Sequence, residues 1–264
     1  MASVVDILKI IERYISLNKT VPYQLKVGGQ ITLQPITVEE WINVGDLTIF
    51  RYEKEKEPDL KIVQMSYLRF LALHYLQSIE NGEQLFLKIL SLVLKVEPDK
   101  IRVCYDNEKR TKLALVVVDE GENLVFKISE QEFEDIRRII LYQNLLDFNE
   151  NFVSEDMKKV VADFLKINKS NTKDINLGDK IIYVYAKKNL SLEQINNMPY
   201  LFFNKVFQIL YECEDYLPRK IIQASYKYDV AQNVEHPLRE VKQSIYDMAI
   251  CSMSEVSDKI NKIM

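Results

Sequence analysis

After Pro98 the hydrophobic pattern of this 264-residue chain changes its period from helical to extended, and that switch limits the folds open to it. Three runs, Ile101 to Tyr105, Lys112 to Val118 and Leu124 to Ile128, are β-branched or apolar. Asp-Asn-Glu-Lys-Arg and Asp-Glu-Gly-Glu-Asn separate them, and polar clusters between such runs are turn chemistry. The spacing predicts an antiparallel β-meander over 101–128.

The flanking sequence is helical apart from one further strand pair. Tyr23 to Val27 and Ile31 to Ile36 flank Gly28-Gly29, which predicts a β-hairpin over 22–36 with positive φ at its turn. Pro35 suits an edge strand or its exit. Val4, Ile7, Leu8, Ile11, Tyr14 and Ile15 stand at helical spacing behind Ser3, giving a first helix over 3–18. Thr37 with Glu40 reads as a capping box that opens a helix through Trp41 and Leu47, and Ser129 with Glu132 opens another to about Gln143. Residues 51–61 carry mixed charge and Pro58, an exposed loop. Ile62 to Ile79 then reads as one helix, stopped by Asn81-Gly82, with Glu83 to Lys95 as its antiparallel partner.

The chain is therefore expected to be α+β: mostly helical, with an N-terminal hairpin and a small meander, followed by an all-helical C-terminal region. The expected division is an α+β domain over 1–145, a polar, Asn-rich hinge over 146–175 and a helical domain over 176–264. Helices are expected at Glu155 to Ile167, Leu177 to Lys188, Leu192 to Asn197, Pro199 to Tyr216 and Arg239 to Met264. Pro199 suits the first turn of its helix.

Composition narrows the function classes. A hydrophobic content of 47% with only 6 Gly and 7 Pro supplies enough apolar surface to offset chain entropy. A net charge of -4 without a basic block argues against nucleic acid as a partner, because phosphate neutralisation carries most of that affinity. The longest apolar tracts, such as Leu85 to Leu94, are broken by Lys88 and too short to span a bilayer. Met-Ala-Ser leads into an amphipathic pattern with Asp6, Lys9, Glu12 and Arg13, which has no signal-peptide core. A soluble, intracellular protein without membrane contact is expected.

The residues that carry most enzyme chemistry are scarce and scattered. His74 and His236 are the two histidines, and Cys104, Cys213 and Cys251 the three cysteines; their positions write no metal-ligand spacing, nucleophile elbow or phosphate loop. No cofactor or metal is expected. The cysteines lie in apolar settings and read as buried reduced thiols, and His74 reads as a partly buried core residue. Of Glu39, Glu40, Asp46, Glu130, Glu132, Glu134 and Asp135, most fall in helical first turns, where the dipole favours them. His236 before Pro237 reads as a loop residue capping the next helix.

The C-terminal half is instead rich in aromatics: Tyr183, Tyr185, Tyr200, Phe202, Phe203, Phe207, Tyr211, Tyr216, Tyr226 and Tyr228. Phe203 and Phe207, at i and i+4, read as core. Tyr226 and Tyr228 near the loop before Pro237, together with His236, are the expected partner-binding residues, since tyrosine joins apolar area to a polar tip.

Four segments carry a resemblance. Ile31-Thr32-Leu33-Gln34-Pro35-Ile36-Thr37-Val38-Glu39-Glu40, followed by Met65-Ser66-Tyr67-Leu68, then Ile140-Leu141-Tyr142-Gln143-Asn144 and Val234-Glu235-His236-Pro237-Leu238, resembles the tail and baseplate-hub assembly proteins of large contractile-tailed bacteriophages. The resemblance implies a non-enzymatic protein of the host cytoplasm and leaves open whether it stays in the virion tail. It would chaperone or nucleate tail components, with other tail or baseplate proteins as partners. No functional residue transfers singly. A phage-encoded protein that binds and inhibits a host or defence enzyme would need the same surface physics. An enzyme assembled from distant carboxylates is a third class.

Overall fold

The computed structural model describes residues 13–15, 17, 19–51, 57–75, 82–106, 111–145 and 175–224. The helix expected over 3–18 lies almost wholly outside them, and those expected at Glu155 to Ile167 and Arg239 to Met264 lie entirely outside. The chain divides into two compact units, Met1–Asn144 with Asn196–Leu201, and Leu145–Ile195 with Phe202–Met264. It is α+β, with an N-terminal antiparallel hairpin, a three-stranded antiparallel sheet and helices toward the C-terminus.

In the first unit, β1 (Val21–Gln24) pairs with β2 (Gln30–Leu33) across Gly28 and Gly29, both at positive φ. The Gly28 turn then runs against the meander of β3 (Ile101–Tyr105), β4 (Leu113–Val118) and β5 (Leu124–Ser129). Val27 bridges Lys127, whose N–H donates to the Val27 carbonyl at 3.3 Å. A Cβ on Gly28 would lie 2.3 Å from the Phe126 Cβ, so both φ and space require glycine. The meander order is β3-β4-β5, with β4 central and Leu115, Val117, Phe126 and Ile128 buried on one face.

That face meets α6 (Glu130–Asn144), entered through the Ser129 cap: Glu132 accepts the Ser129 N–H at 2.9 Å and the Ser129 hydroxyl accepts the Glu132 N–H. Between hairpin and meander lie α1 (Val38–Val44), α2 (Thr48–Arg51), α3 (Leu60–Gln64), α4 (Tyr67–Tyr75) and α5 (Gly82–Leu94). The rings of Phe50, Phe86 and Phe133, from α2, α5 and α6, meet with centroids 5.8 to 6.3 Å apart. All three are fully buried, and they tie three helices to one core.

Several boundaries differ from expectation for local reasons. The Thr37–Glu40 capping box forms, but α1 stops at Val44 because Gly45, at φ +83, turns its N–H back to the Trp41 carbonyl. Leu47 lies beyond the helix, buried. The helix expected over Ile62 to Ile79 breaks at Met65, which is extended, and Ser66 caps α4 by accepting the Arg69 N–H at 3.2 Å. Leu60 belongs to α3, under an Asp59 cap, rather than to the loop. Gly82 begins α5 instead of ending its predecessor. Residues 76–81, on which the rest of that expectation falls, lie outside the described residues.

The segment Asn196–Leu201 returns to the first unit by backbone pairing. Val38 N–H donates to the Met198 carbonyl at 2.9 Å and Tyr200 N–H to the Ile36 carbonyl at 2.8 Å, around a Thr37–Pro199 bridge. The Trp41 and Tyr200 rings stack at 3.8 Å and 6°, worth about 1 kcal/mol beyond the area buried. Pro199 therefore sits in the bridge just ahead of the helix, not in its first turn.

In the second unit, α7 (Leu177–Lys188) is capped by Asn176 and ends at Asn189 in the left-handed region. Ser191 and Gln194 form a reciprocal cap on α8 (Leu192–Asn196). The following helix, α9 (Tyr200–Ala224), runs past Tyr216 and through Pro218. Tyr183 of α7 packs against Phe207 and Tyr211 of α9, and its hydroxyl donates to Glu214 at 2.5 Å. Phe203 and Phe207 are buried.

Gly28→Ala is expected to destabilise the protein by about 3 kcal/mol, from backbone strain plus the clash with Phe126. Gly29→Ala, at φ +80 but with nothing within 4 Å of its Cβ, should cost about 1 kcal/mol. Urea unfolding of the two variants checks this, and equal losses would contradict it.

Candidate functional site

Most of the carboxylates singled out for chemistry are engaged in holding the fold. Glu40 closes the α1 cap and takes the Lys95 ammonium at 2.6 Å, and Asp46 accepts the Thr48 N–H. Burial works against the Glu40 carboxylate, but Lys95 and Thr37 outweigh it and hold its pKa below the usual range. Glu130 accepts the Leu113 N–H at 3.0 Å, and Asp135 accepts the Tyr23 hydroxyl at 2.9 Å. Burial, then the Asp135 charge, push the Tyr23 phenol well above its ordinary pKa. Glu39 is exposed.

Glu132 does more than cap α6. It is buried, and its second oxygen accepts the Lys26 N–H at 2.7 Å, which fixes the hairpin to the helix. Burial raises its pKa, yet the Ser129 hydroxyl and the Lys26 and Ser129 amides together bring it below the usual carboxylate range. At the other end of α6, the Asn144 side chain accepts the Ile36 N–H at 2.8 Å and Gln143 donates to the Leu33 carbonyl at 3.2 Å. Arg137, also buried, donates to the Phe50 carbonyl at 2.8 Å, pairs with Glu134 and lies 3.8 Å from the Tyr67 ring centroid.

Other expectations change with the coordinates. His74 is exposed, its ring 4.4 Å from that of Phe70, because it falls on the outward side of α4 beside exposed Leu73. Cys104 is exposed rather than buried, since it points outward from β3, and Cys213 is half-buried; both are free thiols. Cys251 and the expected partner residues Tyr226, Tyr228 and His236 lie outside the described residues. No group of His, Cys, Asp and Glu among the described residues is placed to hold a metal ion. Nor is any described helix long and apolar enough to cross a membrane.

Among the described residues, two surfaces stand out. An open depression of about 380 Å³ is lined by Met65, Ser66, Tyr67, Glu130, Gln131, Glu134 and Arg138. Its carboxylates are matched, Glu134 by Arg138 of the same wall at 3.4 Å and Glu130 by Arg69 at 3.8 Å. Its serine is occupied in the α4 cap. The second surface is the sheet face turned away from α6. Register places Arg102, Val116, Lys127 and Val27 in one row across it. Val27 is 44% exposed, and nearby Leu124 and Val125 are 52% and 49% exposed. Sequence alternation marks β5, but only the Gly28 contact reveals that Val27 joins it.

No family model, curated protein or solved structure matches the chain.

Glu132→Gln should lower the unfolding free energy by about 2 kcal/mol near neutral pH, where the native carboxylate is ionised and hydrogen-bonded. A carboxylate with a lowered native pKa stabilises above its unfolded value of 4.5 and loses that contribution as pH falls through the native value. The gap between wild type and variant in urea titrations should therefore narrow below pH 4.5. A gap independent of pH would contradict the role given to Glu132.

Proposed function

We propose that this chain is a non-enzymatic assembly protein of a contractile phage tail or baseplate hub, acting by protein–protein contact in the host cytoplasm. The observation that supports the reading is the outer sheet face, where Val27, Leu124 and Val125 leave large apolar area in water around Lys127. Clustered apolar side chains with a polar rim are what a docking surface for another protein requires. The resemblance of Ile31–Glu40, Met65–Leu68 and Ile140–Asn144 to tail and baseplate-hub assembly proteins supplies the class of partner: other tail or baseplate proteins.

Co-expression with tail-tube, tape-measure and baseplate proteins tests this directly. A variant carrying Val27→Ser, Leu124→Ser and Val125→Ser should retain its circular dichroism spectrum and bind its tail partner at least about tenfold more weakly, a loss of roughly 1.4 kcal/mol. Undiminished binding would overturn the role of this face. Failure of the wild type to bind any tail component, with capture of a host enzyme instead, would favour the inhibitor reading.

A further inference from the structure

The strap Asn196–Leu201 sits on three groups that stand in fixed relation at the start of α1. Ile36 N–H donates to Asn144 at 2.8 Å, Thr37 N–H to Glu40 at 2.8 Å, and the Thr37 carbonyl accepts the Trp41 N–H at 2.8 Å. The Ile36 carbonyl and the Val38 N–H go instead to the strap, to Tyr200 N–H and the Met198 carbonyl. Beside them lies the Trp41 ring, stacked on Tyr200. A backbone acceptor, a backbone donor and an aromatic ring are the elements of a groove for an extended peptide.

The groove is built without the strap. The Thr37–Glu40 box, clamped by Lys95, sets the turn into α1, and Asn144 of α6 holds Ile36. Val38 N–H is the first amide of a helix, a donor that water satisfies as readily as a carbonyl does. The strap is uncharged, so no ion pair retains it, and Met198, Pro199 and Tyr200 are only half-buried. Pro199 loses nothing in this position, because the two bonds flank it and its missing N–H falls on the side away from the groove.

We propose that the strap is an autoinhibitory contact: it fills a preformed groove that takes an extended segment of a partner protein in which a proline precedes an aromatic residue. Such a segment competes with the strap for Ile36, Val38 and Trp41, and the strap detaches as a unit while α1 stays folded. Proline holds the segment extended beforehand, which lowers the entropy lost on docking. The aromatic residue after it takes the place of Tyr200 on the Trp41 ring. The inference uses none of the outer-face residues and stands independently of the reading above.

Trp41 is the one tryptophan of the chain, so its emission reports on this groove. The probe is a synthetic peptide of the strap sequence, Asn-Asn-Met-Pro-Tyr-Leu, added to the full chain. In Tyr200→Ala, which removes the stack, the Val38 amide should exchange about tenfold faster, while the Ile36 amide is unchanged. The peptide should then shift Trp41 emission saturably and slow the Val38 amide, and the same peptide with alanine for tyrosine should do neither. The wild type should need at least about tenfold more peptide, because its own strap competes at high effective concentration. A Tyr200→Ala protein whose Ile36 amide accelerates equally, or whose Trp41 emission ignores the peptide or answers both peptides alike, overturns the proposal. Should Tyr200→Ala fail to fold, native-state exchange of the wild type decides: Val38 and Tyr200 amides that open at lower urea than the Ile36 amide support the proposal, and one shared opening for all three refutes it.

Discussion

The fold of the first unit depends on the polar side chains of one helix satisfying the backbone of one hairpin. The chain from Lys26 to Ile36 sets Ile31, Leu33 and Ile36 into the core, and it carries amides and carbonyls that β1–β2 pairing leaves over. Buried backbone groups without partners cost about 1–3 kcal/mol each. Glu132 takes the Lys26 N–H, Gln143 reaches the Leu33 carbonyl and Asn144 takes the Ile36 N–H. These three residues sit at the two ends of α6, so the helix grips the hairpin at both its turn and its exit. Backbone pairing of Gln34 with the Val93 carbonyl fills the gap between them.

The grip places everything else. With the hairpin fixed, Gly28 meets Phe126 and Val27 extends the outer face of the meander. With Ile36 fixed, its carbonyl is free to accept Tyr200 N–H and bring back Asn196–Leu201. Arg137, midway along α6, shows which effect dominates in this core. Desolvating an arginine costs several kcal/mol, and only complete engagement offsets that. The Phe50 carbonyl, the Glu134 carboxylate and the Tyr67 ring together supply it. Replacing Glu134 would leave the buried Arg137 charge without its carboxylate partner.

What was legible in the sequence is what is local. The meander, the Gly28-Gly29 turn and the two capping boxes each depend on residues within a few positions of one another, and each forms. The break at Ser66 is also local, but a strong apolar pattern through Ile62–Tyr75 hides it. The long-range polar contacts leave no periodic trace: Asn144 and Ile36 lie 108 residues apart, and Asn144 in sequence only borders the Asn-rich hinge. Glu132 reads as a cap, and its second bond to Lys26, 106 residues away, is invisible to any window. The outer-face cluster was missed for the same reason, since Val27 reaches Lys127, 100 residues away, only by the bridge beside the Gly28 turn. His74 and Cys104 were misplaced because short apolar runs say that an element is buried without saying which side is.

Native-state hydrogen exchange at the Lys26 and Ile36 amides tests the helix–hairpin grip most directly. If Glu132 and Asn144 hold the hairpin as described, both amides exchange only through the opening that also exposes the α6 amides, with one shared free energy. Exchange of either amide at the rate of a fraying loop, while α6 remains protected, would contradict the account.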